Sequence, residues 1–69
     1  MRIFVNGTPR DVSENMSLPA LLEELNLDSA TTIVELNRTV VQKSASGGYD
    51  VVTLTEGDTL ELVRIVGGG

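Results

Sequence analysis

One segment of the chain has the apolar spacing of an amphipathic helix, and this spacing limits the folds that the sequence can adopt. Its apolar residues are spaced i, i+3, i+4 and i+7 and form one stripe, Leu18, Leu21, Leu22 and Leu25. Ser17 precedes the stripe as a candidate N-cap, and Pro19 falls in the first turn, where a missing N–H is tolerated. Asn26 is expected to end the helix in a left-handed conformation. So short a helix needs a sheet to cover its leucines.

Strand-like segments lie on both sides of this helix. Residues 1–5 are predicted to form a strand, in which Met1, Ile3 and Val5 alternate with Arg2 and Phe4. The two residues that follow, at 6–7 (NG), are typical of a hairpin turn, so residues 8–12 are predicted to return as a second strand. Pro9 cannot donate a ladder hydrogen bond, which places this second strand at the sheet edge. Later strands are predicted at residues 33–36, 39–41 and 59–66.

Residues between these later strands have less regular patterns. Residues 43–48 are small and polar and are expected to form a loop, with room for a single helical turn. Residues 49–54 are compatible either with an extended segment or with irregular packing of Val51 and Leu54 against the core. Glu56-Gly57-Asp58 is expected to form a turn before the last strand.

This order of elements predicts an α+β domain. A hairpin, a crossover helix and a late strand returning beside the first give a β-grasp (ubiquitin-like) arrangement, a mixed sheet of four or five strands packed on one main helix. Residues 1–66 are expected to form this domain, and residues 67–69 a flexible C-terminal glycine tail.

Composition argues against several kinds of function. The chain contains no cysteine and no histidine, so it has no thiol nucleophile and lacks the commonest metal ligand. We therefore expect neither an enzyme active site nor a metal site. A formal net charge of -5 disfavours nucleic acid and suits a basic protein partner. No apolar run is long enough to span a bilayer, so we expect no membrane association. No signal-peptide pattern follows Met1, so we expect a cytoplasmic location. We also expect the chain to be a monomer when it is alone.

The sequence ends in three glycines, Gly67, Gly68 and Gly69, directly after the last strand-like run. Glycine has no Cβ, so such a thread can pass through a channel that side chains would block. A partner could then activate the terminal carboxylate of Gly69. The alternative is a frayed end or a linker without a function of its own.

Outward-facing residues near this tail predict a docking surface. If Leu60 and Leu62 face the helix, then Val63 and Ile65 face solvent, because side chains alternate along a strand. Phe4 points outward by the same alternation, and it would join them in one apolar patch if the first and last strands are neighbours. The alternative is that these are scattered surface residues of no special significance.

Taken together, these segments resemble the ThiS/MoaD sulfur-carrier branch of the ubiquitin-like β-grasp proteins over essentially the whole chain. The matching segments are residues 3–7 (IFVNG), 17–25 (SLPALLEEL), 34–37 (VELN), 56–61 (EGDTLE) and the glycine end. The third and fourth are most similar to ThiS, the thiamin branch. Residues 47–49 depart from the pattern, because ThiS-like chains often carry a Trp-containing helical turn there.

The resemblance implies a carrier and not an enzyme. A ThiF-like adenylating partner would use MgATP to convert the Gly69 carboxylate into an acyl-adenylate. A sulfur-donating cysteine desulfurase system would then supply the sulfur of a C-terminal thiocarboxylate, and a ThiG-like thiazole synthase would use it to build the thiazole of thiamin. Gly67 and Gly68 would give the tail its reach. No bound cofactor is implied.

Partner contacts and the remaining alternatives complete the prediction. The residues expected to contact the partners are Phe4, Val63 and Ile65. Three alternatives stay open. They are a MoaD-type carrier of the molybdopterin pathway, a protein-modifying ubiquitin-like conjugate, and a β-grasp interaction module that carries no sulfur. An enzyme ranks last, because the sequence offers no active site.

Overall fold

Five strands and one α-helix make up the part of the chain, residues 1–50 and 52–65, that a computed structural model describes. The elements in chain order are β1 (Arg2–Val5), β2 (Thr8–Asp11), α1 (Leu18–Glu24), β3 (Thr32–Leu36), β4 (Thr39–Val40) and β5 (Thr59–Arg64). A 3₁₀ turn, Ser29–Thr31, precedes β3. The predicted contacts of Val51, the continuation of the last strand to Val66 and the glycine tail lie outside the described residues.

The strands form one mixed sheet in the order β2-β1-β5-β3-β4. β1 and β5 are parallel neighbours, and the other pairings are antiparallel. The last strand therefore lies beside the first, as the β-grasp prediction requires, and the α+β fold class is confirmed. β2 lies at the sheet edge, as Pro9 predicts.

Local capping fixes both ends of α1. The Ser17 hydroxyl accepts a hydrogen bond from the Ala20 N–H at 3.2 Å, which satisfies one of the amides left free at a helix start. At the other end Asn26 has a φ of 58°, and the Leu27 N–H donates to the Leu22 carbonyl at 2.8 Å. This is the closure of a Schellman motif, with asparagine in the place where glycine is commonest.

The core lies between α1 and the inner face of the sheet. Its buried apolar residues are Ile3, Val12, Leu18, Leu21, Leu22, Val34, Tyr49, Leu54 and Leu60. The segment before β5 closes one side of this core, because the Leu18 N–H donates to the Val52 carbonyl and the Leu54 N–H donates to the Met16 carbonyl. Leu54 is thus buried against the core in a segment that has an isolated bridge, Thr53 with Ser17, and no strand among its described residues. This agrees with the second prediction for Leu54.

Two asparagines close the hairpins and also extend the sheet. Asn6 and Asn37 each take the first central position of a two-residue turn, with φ values of 50°. The Asn6 side-chain oxygen accepts from the Leu62 N–H at 2.8 Å, and the Asn37 side-chain oxygen accepts from the Thr59 N–H at 2.9 Å. Each side chain therefore supplies β5 with a hydrogen bond that the strand beside it is too short to make.

Asp58 anchors the turn that leads into β5. Its carboxylate accepts from the backbone N–H and the hydroxyl of Thr55, at 2.8 and 3.0 Å, and from the Asn37 side-chain amide at 3.1 Å. Burial opposes ionisation of this carboxyl, but the three hydrogen bonds together outweigh it and lower the pKa of Asp58 below its ordinary value. The ionised carboxylate thus holds the β3–β4 turn to the start of β5.

Acid should remove this contribution. Because the pKa of Asp58 is lower in the folded chain than in the unfolded chain, its stabilisation is present above the ordinary carboxyl pKa and is lost as the pH falls through the folded value. Asp58→Asn should therefore lower the free energy of unfolding most at neutral pH and least in acid, as measured by urea unfolding across that range. Asp50→Asn, at an exposed position, is the control. A deficit for Asp58→Asn that does not shrink in acid would contradict this account.

Candidate functional site

The strand that leads to the glycine tail is the central strand of the sheet. β5 lies between β1 and β3, and the Ile65 N–H that follows it donates to the Thr31 carbonyl at 2.7 Å. The root of the tail is therefore held on the β3 side up to the last described residue. Gly67, Gly68 and Gly69 themselves lie outside the described residues, so their predicted role stays a prediction.

Exposed apolar side chains lie on one face of the sheet beside the end of β5. Val63 lies opposite Ile33 in the β3–β5 register, so both side chains share the outer face of the sheet, away from α1. Val63 is 51% exposed, Ile65 46%, Ile33 37% and Val40 51%. The predicted exposure of Val63 and Ile65 is confirmed, and β3 and β4 contribute the two further residues. We call these four residues the apolar quartet.

The predicted grouping of Phe4 with Val63 is wrong in register. β1 and β5 are neighbours, as predicted. Phe4, however, pairs with Thr59 on β5 and with Pro9 on β2, and its side chain is partly buried. Val63 lies four residues further along β5, about 13 Å away at ordinary strand rise. Glu61 occupies the same face between them. Phe4 therefore does not belong to the apolar quartet, and its contact with a partner stays a prediction.

A shallow groove lies along the β4 side of this surface. Its volume is about 390 Å³, and its lining residues are Ile33, Val40, Val41, Gln42, Lys43, Tyr49 and Ile65. Ile65 contributes to the groove wall, so the groove begins where the tail leaves the domain.

Two carboxylates lie directly opposite each other on the same face. Glu35 of β3 pairs with Glu61 of β5, and Glu35 also lies opposite Val40 of β4. We call Glu35 and Glu61 the acidic pair. It lies two residues along the strands from Ile33 and Val63, on the side away from the tail, and level with Val40. The alternation along residues 32–36 contains this signal.

Tyr49 supports the site from inside, and this role has no signal in the sequence pattern. Its hydroxyl donates to the Thr32 carbonyl at 2.6 Å and accepts from the Val34 N–H at 3.1 Å. Both groups lie on the edge of β3 that faces β4. Next to them the Val41 N–H donates to the Val34 carbonyl, and the pairing with β4 goes no further. A phenol thus takes the place of a neighbouring strand and holds the part of β3 that carries Ile33.

Within residues 1–50 and 52–65 there is no cluster of three or more side chains suited to hold a metal ion. Among the same residues no helix is long and apolar enough to cross a membrane. What the described residues do present is a central strand leading to a glycine tail, with an apolar surface at its root.

This fold, with its last strand in the centre and the tail directly after it, defines a ubiquitin-like β-grasp protein. The sequence profile of the ThiS family matches residues 3–69, which is nearly the whole chain and includes its glycines. The chain belongs to the ThiS family, so the resemblance to the ThiS-type sulfur carriers of thiamin biosynthesis is confirmed.

Individual relatives agree with this assignment. The chain is similar to the crystal structure of a thiamine biosynthesis protein (ThiS) from Geobacter metallireducens, with a TM-score of 0.78 and 35% identity over the whole of both chains. It is 42% identical over 69 residues to a thiazole synthase of Paramagnetospirillum magneticum, and 36% identical over 69 residues to one of Magnetococcus marinus. The chain spans about a fifth (20%) of the length of each of these two relatives.

Proposed function

We propose that this chain is a sulfur carrier of thiamin biosynthesis and that the carboxyl group of Gly69 is the point of sulfur attachment. The observation that carries the proposal is the match to the ThiS family, which extends through residue 69 and so includes the glycine end. The position of β5 supports it, because a central strand gives the tail a rigid root.

The proposed chemistry takes place on enzymes that act on the chain. A carboxylate oxygen of Gly69 attacks the α-phosphorus of MgATP on a ThiF-like adenylating enzyme, and pyrophosphate leaves. A persulfide sulfur from a cysteine desulfurase system then attacks the acyl carbon and displaces AMP, which is a far better leaving group than the oxygen of a free carboxylate. Cleavage of the remaining S–S bond by a thiol leaves the thiocarboxylate. The chain contains no cysteine, so no thiol of its own competes for the activated carbon.

Thiazole synthase is the proposed acceptor of this sulfur. Two proteins named thiazole synthase contain a segment similar to the whole of this chain, which favours a partnership between such a segment and the synthase. In this proposal the chain is a substrate of both partners and carries out no catalysis itself. It presents the same tail first to the adenylating enzyme and then to the synthase.

The intact mass of the chain tests the proposal. After incubation with a ThiF-like enzyme, MgATP, a cysteine desulfurase and cysteine, we expect the mass to rise by the difference between one sulfur and one oxygen. Fragmentation should place this change at Gly69. A reaction without ATP is the negative control, and the Geobacter metallireducens ThiS protein with its own adenylating enzyme is the comparison. If that protein is converted while this chain keeps its mass with its own adenylating enzyme, the proposal is wrong.

A further inference from the structure

We propose that the groove on the β4 side is a binding site for a peptide carboxylate and that its occupant is the chain's own C-terminus, residues 66–69. In the docked state the Gly69 carboxylate pairs with the Lys43 ammonium, and the Val66 side chain contacts the apolar wall of the groove. The contact itself does not depend on the carrier role, whereas its effect on adenylation rests on the proposed function.

Two consecutive carbonyl groups bring Lys43 to the root of the tail. The Lys43 ammonium donates to the Ala30 carbonyl at 3.2 Å, and the Ile65 N–H donates to the Thr31 carbonyl at 2.7 Å. Because adjacent carbonyl groups are only a few bonds apart, the ammonium lies within roughly 11 Å of the Ile65 nitrogen. Residues 66–69 follow Ile65, and an extended chain spans about 3.5 Å per residue. The terminal carboxylate can therefore reach the ammonium.

Lys43 is a cation that can accept such a partner. It is the only lysine in a chain of five basic and ten acidic residues, and none of the ion pairs within residues 1–50 and 52–65 includes it. The Ala30 carbonyl and the face of the Tyr49 ring, whose centroid is 5.7 Å from the ammonium, hold it at the groove wall. An ammonium has three N–H donors, so donors remain for a carboxylate after the bond to Ala30.

The tail matches the groove in chemistry. Residues 67–69 are glycines, so their backbone can lie against a shallow surface without steric hindrance from side chains. Val66 supplies one apolar side chain for a groove whose walls include Ile33 and Val40. The segment thus presents one apolar group and one negative charge to a largely apolar groove that contains a single cation, Lys43.

Arg64 is the other cation close to the tail, but it lies on the opposite face of the sheet. It pairs with the buried Thr32 in the β3–β5 register, so its side chain lies on the α1 side. Ile65, the next residue, lines the groove on the outer face. A carboxylate that follows Ile65 into the groove therefore meets Lys43 and not Arg64.

Such a contact slows capture of the tail without preventing it. Exposed ion pairs are weak, so docked and open chains are both populated. The apparent affinity of a partner that needs the open tail falls in proportion to the open fraction. In this proposal the adenylating enzyme captures the open chain, and the groove covers the Gly69 carboxylate when no partner is bound.

Amide nitrogen relaxation of the full chain, measured by NMR at neutral pH and low salt, tests the contact. The order parameters of residues 67–69 should be higher in the wild type than in Lys43→Gln, where they should lie below about 0.6, as in flexible backbone. Sodium chloride at about 0.5 M should bring the wild type to the same values, because it screens the ion pair. Arg38→Gln is the matched control, because it removes one positive charge at the β3–β4 turn, at the other end of β3, and should behave like the wild type.

A chain that ends in a carboxamide removes the other half of the ion pair and leaves the groove intact. Its tail should be released as in Lys43→Gln, and combining the two changes should release it no further, because they remove the same interaction. Equal order parameters in the wild type, Lys43→Gln and the amidated chain would overturn the proposal. Release by Arg64→Gln in place of Lys43→Gln would assign the carboxylate to the α1 side and overturn the groove. Tail order that is lost on dilution would show that the occupant is the tail of a second copy, which also overturns the proposal.

Adenylation distinguishes failure of the contact from failure of the carrier role. With the purified ThiF-like enzyme, MgATP and a sub-saturating concentration of chain at low salt, Lys43→Gln should react about twofold to fivefold faster than Arg38→Gln. Equal rates in a chain that shows the contact would overturn its effect on adenylation. A tail contact that depends on Lys43, in a chain never converted at Gly69, would support the groove and overturn the carrier assignment. Conversion at Gly69 without such a contact would do the reverse.

Discussion

Replacing Gly69 with leucine is expected to reduce thiocarboxylate formation by about a hundredfold or more, while the domain remains fully folded. In the proposed function the reacting carbon belongs to this residue, and a branched side chain beside it would fill the space that a narrow channel in the partner leaves for bare backbone. Misplacing a reacting atom by about 1 Å costs a reaction on the order of a hundredfold. The Tm should not change, because the buried apolar core among the described residues extends no further than Leu60.

The measurement combines intact mass with ATP consumption by the adenylating enzyme. Gly48→Ala is the matched control, because Gly48 has no left-handed backbone and an added Cβ would meet only the Ser29 hydroxyl, at an ordinary 3.7 Å. This variant should be converted like the wild type. A chain extended by one residue after Gly69 should fail in the same way as the leucine variant. ATP consumption by the extended chain at the wild-type rate would contradict the proposed role of Gly69.

Local chemistry explains why much of the fold was predictable. The cap at Ser17, the left-handed Asn26 and the Asn6-Gly7 turn each depend on residues within a few positions, and the structure contains all three. The place of the last strand beside the first followed from the pattern of hairpin, helix and late strand. Pro9 predicted an edge strand for the simple reason that it lacks an N–H.

Register between distant strands could not be predicted in the same way. Whether Phe4 lies beside Val63 or beside Thr59 depends on where β5 begins relative to β1. No residue close to Phe4 in sequence determines that register. The structure shows what determines it. The Phe4 N–H donates to the Asp58 carbonyl, the Asn6 N–H donates to the Leu60 carbonyl, and the Asn6 side chain binds Leu62. A contact across more than fifty residues thus decides which side chains form the surface at the tail.

The candidate site was predictable in part. Alternation along the last strand gave the exposure of Val63 and Ile65, and applying it to residues 32–36 would have added Ile33 and Glu35. Val40 required knowledge of the pairing between β3 and β4. Tyr49 lay in a segment with no period of its own, and its role depends on a hydroxyl that binds a strand far from it in sequence.

Tyr49→Phe is expected to lower the free energy of unfolding by about 1–3 kcal/mol, which is a large share of the stability of so small a domain. The change keeps the ring but removes the one hydroxyl that binds both the Thr32 carbonyl and the Val34 N–H. A buried polar group left without a partner costs more than the hydrogen bond contributed. Urea unfolding at neutral pH would measure the loss. Ser46→Ala, which removes an exposed hydroxyl from the same loop, should change stability by less than about 0.5 kcal/mol.

Alkaline unfolding distinguishes the buried phenol from a simple packing effect. Burial raises the pKa of Tyr49, because the phenolate would be poorly solvated, and this outweighs the opposing effect of the hydrogen bond from Val34. The unfolded phenol therefore ionises first, and the stability of the wild type should fall as the pH rises above the ordinary phenol pKa of about 10. Tyr49→Phe lacks this group, so its deficit relative to the wild type should shrink over the same range. A deficit that stays constant into alkaline solution would mean that the hydroxyl is not held between Thr32 and Val34, and the support for the exposed Ile33 would have to come from elsewhere.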